Sequence, residues 1–115
     1  VTGEWHRFRG LRRDKAEHAI ALTDVFVHRS LRGVLQNLDP NRFTLLRQIS
    51  ERSGRQVARV TQSIQAVPAP AAVARELGLS ARAPSLRVLR CYYDRSDFMF
   101  EISVSHHPGD RFAYW

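Results

Sequence analysis

Residues 98–107, Phe-Met-Phe-Glu-Ile-Ser-Val-Ser-His-His, alternate side-chain character along their length. A period of two is the signature of a β-strand with two unlike faces. It sets Glu101, Ser103, Ser105 and His107 on one face and Phe100, Ile102 and Val104 on the other. Upstream, Pro84–Tyr93 is a second strand, and Asp94-Arg95-Ser96-Asp97 between them has turn chemistry. With Arg95 and Ser96 as a two-residue loop, Asp94 falls opposite Asp97 and Arg90 opposite Glu101. An Arg90–Glu101 pair is ordinary cross-strand stabilisation of about 0.2–1 kcal/mol. It could equally orient the carboxylate toward a ligand. The apolar face is expected to meet the helices. The polar row is either a solvated surface or the wall of a pocket for a small molecule.

The rest of the chain supplies partners for this hairpin. Glu4–Leu11 and Ala19–Val27 have strand character, with the polar stretch Arg12–His18 as the loop between them. Leu31, Val34, Leu35 and Leu38 recur at helical spacing until Asp39-Pro40 ends the pattern. Thr44 is a fitting N-cap for a short helix through Arg52, and Gly54 stops it. Gln56–Ala66 alternates as a strand until Val67-Pro-Ala-Pro70. Pro70 suits the first turn of a helix over Ala71–Leu77, which Gly78 closes. The order β-β-α-α-β-α-β-β predicts an α+β domain, with a mainly antiparallel sheet and helices packed on one face. There is also an internal echo. Trp5–Arg9 followed by Ala19–Val25 resembles Leu86–Arg90 followed by Met99–Ser105, the first loop being a few residues longer. A sheet built from two similar halves is expected.

Composition narrows the function. At 115 residues the chain fits one domain. No apolar run approaches the roughly 20 residues that span a bilayer. Glu4, His6, Arg7 and Arg9 near the start do not form a signal peptide. Cys91 is the single cysteine, which excludes an internal disulfide and any multi-cysteine zinc site. On its strand it faces the same way as Leu89 and Tyr93 and serves as a small buried filler. Lys plus Arg exceed Asp plus Glu by 18 to 11, a net charge of +7. The arginines are scattered along the chain, whereas a footprint on phosphate needs cations gathered on one face.

Several residues have the chemistry of a binding site. Arg12 and Arg13, adjacent at a strand end, suit a carboxylate or phosphate through their planar forks; alternatively one is solvated and the other pairs with Asp14 or Glu17. Thr23 shares its face with Ala21 and Val25, so its hydroxyl either faces a cavity or simply favours the strand. Thr44 has its structural task as N-cap, and the same helix end would accept an anion. In a strand His106 and His107 point to opposite faces and cannot share a metal without a bulge, and no metal or cofactor is expected. No nucleophile, base and orienting group assemble in sequence, and no enzyme is expected.

Taken together, Ser85–Asp94 and then Phe100-Glu-Ile-Ser-Val-Ser-His-His-Pro-Gly-Asp-Arg-Phe112 resemble the end of a UTRA domain, the effector-binding domain of GntR-type regulators of the HutC group. Gln65-Ala66 with Ala72–Gly78, and Trp5–Val27, are similar to earlier parts of that family, so the likeness covers nearly all of residues 1–115. It implies a chorismate-lyase-like fold and a homodimer in the cytoplasm. It also implies a small-molecule effector, anionic if the arginines are the guide, whose binding changes how an N-terminal winged helix-turn-helix engages DNA. That DNA-binding part and the family's first segment lie outside this sequence, so DNA is contacted only through the missing domain. The site residues implied are Arg12 or Arg13, Thr23, Thr44, Glu101, Ser103 and His107, with Arg90 in support. Thr23 stands where some members have Glu and His107 where some have Tyr, which points away from an amino-sugar phosphate. The alternatives are a lyase-type enzyme on the same fold and a basic nucleic-acid-binding module.

Overall fold

The computed structural model describes residues 5–34 and 45–110. Five strands form one sheet: β1 (Trp5–Arg13), β2 (Ala19–His28), β3 (Arg59–Pro68), β4 (Pro84–Tyr93) and β5 (Met99–Pro108). Their order is β1-β2-β5-β4-β3, and every neighbouring pair is antiparallel. Helix α1 covers Leu45–Ser53, α2 covers Ala71–Leu77, and a 3-10 helix covers Arg29–Val34. Gly54 (φ 73°) and Gly78 (φ 68°) end the two α-helices in the left-handed conformation that glycine adopts without penalty. The α+β class and the antiparallel sheet are those expected from the strand alternation. The helical spacing of Leu31–Leu38 yields a 3-10 helix as far as Val34, and its remainder lies outside the described residues, as does Thr44.

The helices were expected on one face, and they divide between two. Val73 and Leu77 of α2 pack on Ala19 and Leu22. Ile49 of α1 and Leu31 of the 3-10 helix pack on Val27 and Phe100. Leu22 and Val27 lie five residues apart in an unbroken register with β5, so they project from opposite faces of β2. The physical reason is that β2 is apolar on both faces, Ala19, Ala21, Leu22 and Val27 all being buried. Such a strand needs a cover on each side.

The two hairpins are built alike. In the first, the Asp14 N–H donates to the His18 carbonyl and the Glu17 N–H to the Asp14 carbonyl; in the second, Asp94 and Phe98, then Asp97 and Asp94, repeat both bonds. Asp14 Oδ1 accepts from the N–H groups of Ala16 and His18, and Asp94 Oδ1 from those of Ser96 and Phe98. Glu17 (φ 66°) and Asp97 (φ 62°) occupy the same left-handed position. A register shift follows at Arg12/Arg13 in one hairpin and at Tyr92/Tyr93 in the other. The echo is therefore real, but the two loops are equal in length, with equivalent residues 94 − 14 = 80 apart. Asp94 Oδ2 pairs with Arg55 at 2.5 Å, where Asp14 Oδ2 has His18 at 3.4 Å, and the Asp94 side chain is 10% exposed against 40% for Asp14. Asp94→Ala should lower the melting temperature more than Asp14→Ala does; equal losses would show that the arginine pair and the burial contribute nothing.

Candidate functional site

The turn decides where the carboxylate goes. Tyr93 pairs with Met99, but Tyr92 pairs with Glu101, which leaves Phe100 as the extra residue of a bulge. Arg90 therefore stands opposite Ser103, not opposite Glu101, and the expected Arg90–Glu101 pair does not form. The two-residue loop assumed from sequence is a three-residue loop closed by the Asp94–Phe98 bond, and the bulge adds one more step. Arg90 instead donates from Nε to Gln62 Oε1 at 2.6 Å.

Phe100 and Glu101, neighbours in sequence, are both buried, at 0% and 2% exposure. Phe100 packs with Val27, and Phe8, Val25 and Tyr92 lie against the same cluster. Those four residues belong to the face that also carries Glu101, Ser103, Ser105 and His107. The bulge has turned Phe100 onto the polar row's own side. Phe100 thus leaves the face expected to meet the helices: Ile102 and Val104 keep that face, which α2 covers at Leu22, while α1 packs on the polar row's own side. Ile102 and Val104 remain half-buried, while Ser103 (9%) and Ser105 (8%) are buried. Cys91 is half-buried opposite Ile102, rather than enclosed.

Four transverse rows of side chains make up this face. His6, Val27, Glu101, Tyr92 and Val60 form the first; Phe8, Val25, Ser103, Arg90 and Gln62 the second. The third holds Gly10, Thr23, Ser105, Val88 and Ile64. Arg12 and Ala21 stand in the fourth beside His107 and Leu86. Thr23 and Ser105 share a hydrogen bond of 2.9 Å between their hydroxyls. At the β1 end of their row Gly10 carries no side chain and the space above it is open. From Glu101 to His107 the floor runs six residues, about 20 Å at the usual rise of a strand.

Glu101 is the electrostatic centre of this floor. Among the described residues its Oε1 has no hydrogen-bond partner. Burial pushes its carboxyl up to about 7, because a charge is costly to hold away from water. Burial also lowers the His107 imidazole below its ordinary value, with the nearby charges of Arg90, His106 and Arg12 acting in the same direction and a hydrogen bond to the Ile20 backbone opposing. These effects together favour the neutral form of His107. Arg12 and Arg13 part company. Arg12 takes the polar face, while Arg13, on the other face, donates from its guanidinium to the Glu17 carbonyl within the first turn.

The structure thus places Arg12, Thr23, Arg90, Glu101, Ser103 and His107 on one sheet face, with Arg12 and His107 at the end far from Glu101, and sets Arg13 apart. Sequence reasoning missed Gln62, which holds Arg90, and Tyr92, which stands against Glu101. No local pattern encodes either one, since both depend on strand pairing across the sheet. A separate cleft of about 360 Å³, lined by Gly54, Arg55, Gln56, Asp94, Arg95 and Ser96, lies at the second turn and includes none of the expected site residues. No described helix is long and apolar enough to cross a membrane, and no group of three or more His, Cys, Asp or Glu that could hold a metal ion occurs among the described residues. Several arginines are occupied by carboxylates: Arg9 with Asp24, Arg55 with Asp94, Arg59 with Asp97.

Comparison with known proteins gives a consistent picture. Residues 6–113 match the UTRA domain. The PhnF C-terminal domain superposes with a TM-score of 0.83 at 25% identity, over 96% of this chain and 69% of that one. A transcriptional regulator from Streptomyces coelicolor gives 0.84 at 24% identity, over 95% and 71%. The ligand-binding domain of a GntR-family regulator from Bordetella bronchiseptica gives 0.84 at 21% identity, over 96% and 72%. Comparison with curated protein sequences returns no match.

Proposed function

Since the chain belongs to the UTRA domain family, an effector-sensing domain of transcriptional regulators, we propose that it senses a small molecule bound on the polar face of its sheet. The observation that carries this reading is the buried row Glu101, Ser103 and Ser105, with one carboxylate oxygen lacking a partner. A buried acceptor left unmet costs about 1–3 kcal/mol. A ligand that donates a hydrogen bond there recovers that cost and gains affinity by doing so.

In this reading Glu101 receives a donor group of the effector. Ser103 and Thr23 hydrogen-bond its polar groups. The neutral His107 offers one ring nitrogen, and Arg12 takes an anionic end if there is one. Arg90 supports the floor through Gln62. Arg13, engaged with its own turn, is not assigned to the effector. Binding closes the elements over the sheet and shifts the balance between two arrangements of a homodimer. The DNA affinity of a winged helix-turn-helix elsewhere in the regulator changes with it. Such a regulator works in the cytoplasm, where the DNA is. No observation favours the lyase-type enzyme, and the ion-paired arginines do not favour a nucleic-acid footprint.

The test is a thermal-shift titration with panels of small carboxylates, phosphate esters and amines. A ligand at about one hundred times its Kd stabilises the folded state by about 2.7 kcal/mol, which raises the melting temperature by several degrees. Glu101→Gln and Ser103→Ala should each reduce that shift. If every class leaves the folded chain's melting temperature unmoved, the sensing role on this face is lost.

A further inference from the structure

The polar floor carries one acidic and two strongly basic side chains, and none of them meets another. Along the strands of that face these groups are Glu101, Arg12 and Arg90. Elsewhere Asp24, Asp94 and Asp97 each hold an arginine, but no ion pair among the described residues involves Glu101, Arg12 or Arg90. Arg90 spends its Nε on the neutral Gln62, which leaves its two terminal nitrogens for another acceptor. Glu101 is 2% exposed, with Oε1 unpartnered. A buried carboxyl group ordinarily finds a partner within the fold, because holding its charge away from water is costly otherwise. Here the bulge withholds the nearest arginine by setting Arg90 opposite Ser103.

The charges are also sorted by position. Glu101 stands in the first row. The charges of Arg90 and Arg12 both act on His107. Strand β5 lies between β2 and β4, so the imidazole stands between a guanidinium from β4 on one side and one from β1, beyond β2, on the other. Arg90 belongs to the second row and Arg12 to the fourth, so a group held by both lies near the third, at Ser105. That is four residues along β5 from Glu101, about 13 Å at the usual rise of a strand. The middle of the floor is neutral. Val25 and Val88 are apolar there, and Thr23 and Ser105 satisfy each other at 2.9 Å.

We propose that the effector is an elongated dipolar molecule, with a protonated amine seated on Glu101, a carboxylate or phosphate held between Arg12 and Arg90, and a neutral chain joining the two ends. This rests on the effector reading of the same face and narrows it to one chemical class. An ammonium gives Glu101 Oε1 both a donor and an opposite charge, and a charge-assisted hydrogen bond is roughly twice as strong as a neutral one. The planar forks of the two arginines suit the oxygens of either anion. A simple anion leaves the carboxyl group of Glu101 unmet, and a simple amine leaves both guanidiniums without a counter-charge. An α-amino acid carries its two charged groups on one carbon and cannot reach both ends of the floor.

Isothermal titration of the chain with ω-aminocarboxylates and aminoalkyl phosphates of increasing length tests this, beside the alkylamine, carboxylate and phosphate ester of matching length. A dipolar compound should bind roughly tenfold or more tightly than either single-ended one, with an optimum where its ends lie about 13 Å apart. Glu101→Gln should bring the dipolar compound down to the affinity of the simple anion. Arg12→Gln combined with Arg90→Gln should bring it down to that of the simple amine. Arg13→Gln, on the other face, should change nothing, and circular dichroism checks that each variant is folded. An anion or an amine that binds alone as tightly as its dipolar counterpart overturns the proposal and leaves the effector reading standing. So does a dipolar compound that responds to Glu101→Gln but not to the paired arginine substitutions, or a series that binds alike at every length. If no member of the series binds, the dipolar assignment falls; the effector reading falls with it only if the wider thermal-shift panel is silent too.

Discussion

Glu101→Gln is expected to stabilise the protein by about 1–3 kcal/mol near pH 8 and to change little below about pH 4. Burial lifts the folded-state carboxyl from 4.5 to about 7. The folded state therefore keeps a proton that the unfolded chain has already released across that interval. The wild-type protein loses stability as pH rises from 4.5 to 7 and then levels off, the opposite of the usual ion-paired carboxylate. A tenfold difference in proton affinity between the folded and unfolded chains corresponds to about 1.4 kcal/mol, so the whole effect is about 3 kcal/mol. Glutamine removes the charge but keeps a polar group with an unmet bond, which trims the gain. Urea titrations of both proteins at several pH values check this. If the two show the same slope between pH 4.5 and 7, Glu101 is not the group being desolvated. Ligand that donates to Glu101 should flatten the wild-type slope and have no such effect on the variant.

Phe100→Ala is expected to cost about 3–5 kcal/mol, a large part of a small domain's total stability. Phe100 is fully buried and shares its cluster with Val27, Leu31 and Ile49, so truncation leaves a cavity between the sheet and α1. Ile102→Ala, at a half-buried position on the other face, should cost roughly half as much or less. Strict alternation would rank the two alike, since it places them on one face. Denaturant midpoints of the two variants decide between these orderings. Equal losses would mean that the bulge does not turn Phe100 as described.

Much of the architecture was legible because it is local. Pro84–Tyr93 reads as a strand from its own residues, Gly54 and Gly78 mark helix ends, and Ala71–Leu77 follows a proline suited to a first turn. The polar row Glu101, Ser103, Ser105, His107 also followed from alternation alone. What alternation could not supply was the bulge. The third loop residue and the unpaired Phe100 together change the partner of Glu101 from Arg90 to Tyr92, and nothing in the dipeptide Phe100-Glu101 announces it. The division of the helices was hidden for a similar reason, since α2 and α1 choose their faces through long-range contacts with Leu22 and Val27. Arg12 and Arg13 became distinguishable only when the first turn took the guanidinium of Arg13.

The eighty-residue offset between the hairpins gives every floor position a twin: Glu101 answers to Ala21, Ser103 to Thr23, and Ser105 to Val25. Two identical halves would present a guest with the same groups whichever way round it lay. Here only one twin of each unlike pair is polar, so a guest rotated by half a turn would set its donor against Ala21 instead of Glu101. The divergence of the halves has converted a duplicated platform into one with a head and a tail.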